Sequence, residues 1–416
     1  MSAESVAESI PPGYKQTEMG VIPVDWSIEK LNDISIISRL AGAEYTSFWE
    51  ETYDGEIIAL RGFNIGRGRI IEKDLVCISN ELSLKLKRSR LCKGDVVYPC
   101  VGSIGNAVVI MEDDKYHIQQ NIARITPNPE NISSKYLANY LMSFLGEREV
   151  SRFNASSSQP SVLVGSLRQY RIPLPPILAE QEAISQALTD TDALIESLEQ
   201  LIAKKRQIKQ GAMQELLTGK RRLPGFSGEW EVKPFGDIAQ LRKDRIDPRK
   251  TGGHEFCIEL EHIEQETGCL IGYTMTGEGS SLKSVFKKED VLFGKLRAYL
   301  RKYWLADREG VCSTEMWVLV AKQSLVIPQF LLQLVKEDKF VEAASSAYGT
   351  HMPRSDWNVV KKYEVHLPPL EEQTSIATIL SDMDAEITSL EEKLVKTRQI
   401  KQGMMQELLT GRIRLV

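Results

Sequence analysis

The sequence predicts an α+β protein built twice. Two globular α+β domains are related by pseudo-two-fold symmetry and separated by two long helices that form an antiparallel coiled coil. Three observations carry this: a helical segment that recurs late in each half, a mixed strand-and-helix pattern ahead of each copy, and a charge gradient along each helical copy.

The recurrence comes first because internal repeats organise everything else. The stretch from Glu180 to Leu223 and the stretch from Glu372 to Leu415 are identical at more than half of their aligned positions, ending in RQIKQGAMQELLTG and RQIKQGMMQELLTG. Upstream, Pro175-Pro176 is answered by Pro368-Pro369, and IPVDWSIEKLNDI by FSGEWEVKPFGDI, which aligns Trp26 with Trp230 and Asp33 with Asp237. The interval from tryptophan to diproline is a normal domain size in each half. The predicted order is a flexible tail (1–18), a first domain (19–174), a helix (175–222), a second domain (223–366) and a final helix (367–416).

Each repeated segment reads as a heptad helix. The seam residues are Ile184, Leu188, Ile195, Leu198 and Ile202 in the first copy, and Ile376, Leu380, Met383, Ile387, Leu390 and Leu394 in the second. No proline interrupts either copy, and Gly219 and Gly411 suit left-handed C-terminal caps. A helix over 180–217 spans roughly 57 Å. From Glu180 to Glu199 there are six acids and no Lys or Arg, whereas Lys204, Lys205, Arg206 and Lys209 crowd the back. The second copy repeats this, with Lys393, Lys396, Arg398 and Lys401 behind its acids. Parallel pairing would set acid on acid; antiparallel pairing sets acid on base at both ends.

In the domains, Gly94–Met111 and Glu289–Ala306 read as strand pairs, and Ser133–Gly146 and Pro328–Ala344 carry a helical stripe with start signals. Composition excludes other classes. The 416 residues are 42% hydrophobic and 26% charged, as in a globular protein. No apolar run reaches the length of a membrane span, and the polar start lacks the apolar run of a signal peptide. Six cysteines (Cys77, Cys92, Cys100, Cys257, Cys269, Cys312) without a CxxC pair are expected as free thiols in a reducing, cytoplasmic setting. No histidine pairs with a cysteine at zinc-ligand spacing, so no metal is expected.

A net charge of −5 hides local positive clusters. In the first domain these are Arg67 and Arg69, then Lys85, Lys87, Arg88 and Arg90; in the second they are Arg242, Lys243 and Arg245, then Lys295, Arg297 and Arg301 with Tyr299 interleaved. Positive patches on an acidic chain suit phosphate neutralisation. Gln119, Gln120, Asn121, Ser158 and Gln159 in the first domain, with His351 and Arg354 in the second, are candidate base readers, and Ser103 is a further candidate DNA contact. A solvated charged face accounts equally well for any one cluster taken alone.

Catalytic signatures are missing. The three Pro-Pro pairs follow Ile10, Leu174 and Leu367, so no Asn/Asp-Pro-Pro-aromatic tetrad exists. Thr218-Gly219-Lys220 lacks the upstream glycine of a phosphate loop, and Gly62–Gly68 has its glycines at the wrong intervals for a dinucleotide fingerprint, so it reads as a turn. Chemistry, if any, belongs to a partner.

RIPLPPILAEQEAI (Arg171 to Ile184), HLPPLEEQTSI (His366 to Ile376), the opening IPVDW and the two RQIKQGxMQELLTG stretches together resemble the specificity subunit of Type I restriction–modification systems. The resemblance covers nearly everything after residue 18. It implies that each domain is a target-recognition domain reading one half of a split, asymmetric site in double-stranded DNA, with the helices as a ruler for the unread spacer. It implies two methyltransferase subunits docked on the helical regions and restriction–translocation subunits joining them. S-adenosylmethionine, ATP and Mg²⁺ would then be bound by those partners, with no cofactor and no catalytic residue in this chain. Two such domains could occupy successive major grooves, about 34–36 Å apart. The first diproline element departs from the second by one extra residue, Ile177-Leu178-Ala179 against Leu370-Glu371, so the two approaches to the helices need not match. The competing reading is a non-catalytic coiled-coil scaffold whose domains grip protein instead of DNA.

Overall fold

A computed structural model of the chain describes residues 10–153, 161–277, 281–346 and 353–415. The chain divides into two compact units, Met1–Ser197 with Leu394–Val416 and Leu198–Lys393.

The first unit opens with an antiparallel hairpin, Tyr14–Thr17 on Gly20–Pro23. This corrects the expected flexible tail (1–18) over Tyr14–Glu18, while residues 1–9 lie outside the described residues. The Thr17 hydroxyl closes the turn on the Gly20 carbonyl at 2.7 Å, and Met19 and Ile22 are buried, so a polar-looking segment is pinned by two apolar anchors. Ser27–Lys30 then pairs with Arg171–Leu174, which ties the start of the head to its end. Between them lies a four-stranded antiparallel sheet in the order Ser35–Ser38, Ile122–Pro127, Val96–Pro99, Val108–Val109. Its last two strands are the pair expected in Gly94–Met111. A three-stranded sheet follows, with Ile57–Leu60 between antiparallel Val76–Ile78 and parallel Tyr116–Ile118.

The second unit repeats the plan. Glu231–Pro234 pairs with Glu364–Leu367, and the four-stranded sheet runs Ala239–Leu241, Met316–Ala321, Val291–Gly294, Tyr303–Leu305. The parallel pair recurs as Cys257–Ile258 on Gly310–Ser313. The helical stripes of both heads fold as two helices each, Ser134–Leu141 with Phe144–Phe153 and Pro328–Lys336 with Asp338–Ser345. The break has a local cause in the first head. The Ser143 hydroxyl accepts the Leu145 amide at 3.2 Å and the Gly146 amide at 3.4 Å, which starts a new helix.

The long helices are Leu178–Leu216 and Leu370–Leu408. Both meet Gly219 (φ +70°) and Gly411 (φ +69°) just beyond their ends. A β-carbon at 411 would lie 2.6 Å from the Pro23 ring, so glycine is required there by space as well as by conformation. All the seam residues read from the sequence are buried or half-buried. In the first unit Ile184 and Leu188 share a core with Met405, Leu408 and Leu409. In the second, Ile376 and Leu380 share one with Met213, Leu216 and Leu217. Within each unit the start of one helix therefore packs on the end of the other, the antiparallel arrangement that the charges dictate.

The motif residues explain themselves in this packing. Glu180 is fully buried and paired with Arg414, which also reaches Asp25 at 3.1 Å. Glu372 is fully buried and gripped bidentately by Arg222, both contacts at 2.7 Å. Each guanidinium lies over the unit's tryptophan, Arg414 at 5.8 Å from Trp26 and Arg222 at 5.5 Å from Trp230. The adjacent glutamines lock each head to its helix. Gln181 accepts the Ser133 amide at 2.9 Å and donates to the Asn131 and Pro175 carbonyls. Gln373 accepts the Ile327 amide at 3.0 Å and donates to the Leu325 and Pro368 carbonyls. The same bonds form in both copies, so the extra residue of the first diproline element is absorbed at exposed Ile177.

Three lysines of the long helices are ion-paired to acids of the opposite helix. Lys205 meets Glu386 at 2.7 Å and Lys209 meets Asp384 in the second unit, while Lys401 meets Asp192 in the first. Such pairs fix register more than they add stability.

Candidate nucleic-acid interface

Both heads assemble one junction from three segments distant in sequence. In the first, the Cys100 amide donates to the Asn121 carbonyl at 2.7 Å, Val101 bridges Ser161, and the Val162 amide donates back to the Cys100 carbonyl at 2.8 Å. In the second, the Lys295 amide donates to the Glu315 carbonyl at 3.0 Å, Leu296 bridges Arg354, and the Ser355 amide donates to the Lys295 carbonyl at 2.8 Å. Strand pairing forces this, because each junction sits where the central strand Val96–Pro99 or Val291–Gly294 leaves its sheet.

The junctions gather many of the residues singled out by sequence. Around the first are Ser103, Gln119 and Gln120, all half-buried, and exposed Asn121, whose φ of +63° turns the chain sharply. Around the second are Lys295, Arg297 (φ +53°), Tyr299, which is 53% exposed, and Arg354. The two side-chain sets differ completely on one backbone plan. Gln119 donates to Glu51 at 2.9 Å. Arg354 holds Glu315 bidentately at 2.8 and 3.2 Å, and that hydrogen-bonded guanidinium keeps the Glu315 carboxyl below its ordinary range.

Other residues have structural tasks. Arg67 and Arg69 stand exposed on a hairpin tip closed by an Ile65–Ile70 bridge, and the tip packs on the Ser103 turn through a Gly68 amide to Ala107 carbonyl bond of 2.9 Å. Arg67 donates to the Met142 carbonyl at the end of a helix. Arg301 donates to the corresponding Lys336 carbonyl at 3.2 Å and pairs with Asp338. Both arginines thus satisfy helix-terminal carbonyls that lack an intrahelical donor. Arg90 is half-buried on Asp114 at 2.8 Å, and Arg242 is bidentate on Asp290 at 2.7 and 2.9 Å. Lys85 lies 3.7 Å from the centre of the Phe48 ring. Lys87, Arg88, Lys243 and Arg245 are exposed. Ser158, Gln159 and His351 lie outside the described residues.

Lys336 illustrates how the two copies diverged. It is buried, pairs with Asp384 at 2.8 Å, and burial holds its ammonium below the usual lysine range. The equivalent residue of the first head is Met142. Because the folded state binds its proton less tightly, wild-type stability rises with pH between that lowered value and the unfolded value. Asp384 is partly exposed and keeps Lys209, so no buried charge is stranded, and we expect Lys336→Met to leave stability unchanged or to raise it by up to about 1 kcal/mol at neutral pH, with the difference shrinking as pH climbs into that window. Thermal melts across pH 7–10 check it; a destabilised variant at neutral pH contradicts it.

Burial pushes the Cys100 thiol up to about 11, and all six cysteines are free. Among the described residues no group of three or more His, Cys, Asp or Glu side chains could hold a metal ion, and no helix is long and apolar enough to cross a membrane.

The family model for the Type I restriction modification DNA specificity domain matches residues 23–208 and again 227–399. A Methanocaldococcus jannaschii protein that carries the provisional name type I restriction enzyme MjaX specificity subunit is 24% identical over 97% of both chains. The MjaVIII specificity subunit of the same organism is 28% identical over 51% of this chain and 50% of its own. A solved chain described under complex assembly and conformational transition of the type I R-M system shares the fold, with a TM-score of 0.57, 15% identity, and coverage of 94% of this chain and 99% of its own. With the duplicated family model over most of its length, set on the same doubled α+β plan and long helices, the chain belongs to the Type I restriction modification DNA specificity family.

Proposed function

We propose that this chain is a non-catalytic DNA-reading subunit of a Type I restriction–modification complex. Each head reads one half of a bipartite, asymmetric site, and the long helices set the spacer and dock two methyltransferase subunits. Restriction–translocation subunits join these. Adenine methylation with S-adenosylmethionine, and cleavage with ATP and Mg²⁺, belong to the partners in this reading.

One observation carries it: the same three-segment junction is built twice and furnished with unlike side chains, Gln119, Gln120 and Asn121 in one head against Lys295, Arg297, Tyr299 and Arg354 in the other. Amide groups and arginines are the side chains that read base edges. Equal frames with unequal furnishing predict unequal half-sites, unlike the palindromes of symmetric repressors.

The test is ionic strength. With about 6–10 phosphates contacted, affinity for duplex DNA is expected to fall about 10³–10⁵-fold between about 50 and 200 mM salt. A flat response would favour a protein-gripping scaffold. The isolated chain is also expected to show no turnover with Mg²⁺ or S-adenosylmethionine; turnover would overturn the non-catalytic assignment.

A further inference from the structure

We propose that Arg39, Arg88 and Arg168 form a phosphodiester clamp on the first head, a deepening that rests on the DNA reading above. None of the three forms a sequence cluster with the others. They converge because a sheet edge, a turn and a short helix meet around a cleft of about 280 Å³. Arg39 follows the edge strand Ser35–Ser38, Arg88 sits in the turn Lys87–Ser89, and Arg168 follows the helix Val164–Leu167.

The cleft is tied together by side chain-to-backbone bonds. The Ser38 hydroxyl donates to the Arg88 carbonyl at 2.7 Å, and the Arg168 guanidinium donates to the Ile37 carbonyl at 3.3 Å. The first bond fixes the Arg88 backbone beside the edge strand and the second seats the Arg168 guanidinium against that strand, while all three arginines stay exposed. Among the described residues no carboxylate lines the cleft. Several other arginines of the heads are already paired with carboxylates: Arg90, Arg242 and Arg354 each have an acid within 2.8 Å. Three guanidinium groups left without a counter-charge repel one another, and an arriving anion removes that repulsion. Planar guanidinium forks match phosphate oxygens.

Position supports a nucleic-acid phosphate over a small anion. The cleft wall includes Leu163, next to Val162, whose amide is bonded into the reading junction. Base readout and backbone grip are thereby side by side, as a duplex requires. The second head retains the device at two of three places. Lys243 follows its edge strand as Arg39 does. The Lys361 carbonyl accepts the Gly236 amide at 2.9 Å as the Arg168 carbonyl accepts the Asn32 amide at 3.2 Å, so Lys361 occupies the place of Arg168.

The experiment measures affinity of the full-length chain for a labelled duplex of about 40 base pairs of random sequence over a salt series. Wild type is compared with Arg39→Ala/Arg88→Ala/Arg168→Ala and with the matching triple lysine variant. Each lost phosphate contact lowers the slope of log affinity against log salt by about 0.9, so the alanine triple is expected to lose roughly 2–3 from the slope. The lysine triple, which retains the charge without the fork, is expected to keep most of the slope. An alanine triple that melts like wild type yet keeps its slope overturns the clamp. If the alanine triple melts early, Arg39→Ala alone, which breaks none of these hydrogen bonds, decides: a slope reduced by about 0.9 supports the clamp and an unchanged slope overturns it. A wild-type chain with no salt-dependent binding overturns the DNA reading itself, a result distinct from failure of the clamp alone.

Discussion

Replacing Arg414 by alanine will loosen the first unit while leaving the second intact, and replacing Arg222 will do the reverse. Glu180 and Glu372 are both fully buried, and each depends on one arginine for its counter-charge. Removing that arginine strands a buried carboxylate. For Arg414→Ala we expect a loss of about 2–3 kcal/mol, below the usual range for breaking a buried ion pair because the guanidinium is itself partly exposed. Hydrogen exchange resolved along the chain is the proper readout, since two units need not melt together. Amides of Ser27–Lys30 and Arg171–Leu174 should lose protection in Arg414→Ala, with those of Glu231–Pro234 and Glu364–Leu367 unchanged. Uniform loss over both units would show that the clasp is not local. Acid adds a second handle. The Arg414 hydrogen bond holds the Asp25 carboxyl below its ordinary range. The contribution of that contact is present above the unfolded value and disappears as pH falls through the lowered folded one; in Arg414→Ala that acid-dependent part should be missing.

Inserting four residues into both long helices, near Leu198 and Leu390, is expected to lengthen the preferred DNA spacer without altering either half-site. Each insertion adds about 6 Å at 1.5 Å per residue, which corresponds to about two base pairs at 3.4 Å each. Four residues approximate one turn, so the apolar seam is nearly restored beyond the insertion, with a local change of winding. Insertion in one helix alone should slip the ion pairs of Lys205, Lys209 and Lys401 and cost stability instead. Selection of bound sequences from a random pool reports spacer and half-sites together. A changed half-site with an unchanged spacer would refute the ruler.

The helices, their polarity and their caps were legible in the sequence because a heptad and a charge gradient are one-dimensional signals. The strand pairs in Gly94–Met111 and Glu289–Ala306 were legible for the same local reason. The ordered hairpin at Tyr14–Pro23 was hidden, since its anchors Met19 and Ile22 belong to a core that draws on residues far along the chain. Exposed arginines were the least legible. Arg67 and Arg301 look like any basic residue until a helix-terminal carbonyl stands before them. Arg39 and Arg168 lie far from any basic run, and only sheet geometry brings them to Arg88.

The core of the first unit includes Met405, Leu408 and Leu409, which a ribosome adds only after the whole of the second unit. The second unit is a continuous stretch, Leu198–Lys393. The part of the chain synthesised first therefore has to wait for residues 394–409 before it can close, while the second unit can mature ahead of it. Products of premature termination before residue 394 would carry an open first unit with Ile184 and Leu188 uncovered, which makes them natural targets for quality-control proteases.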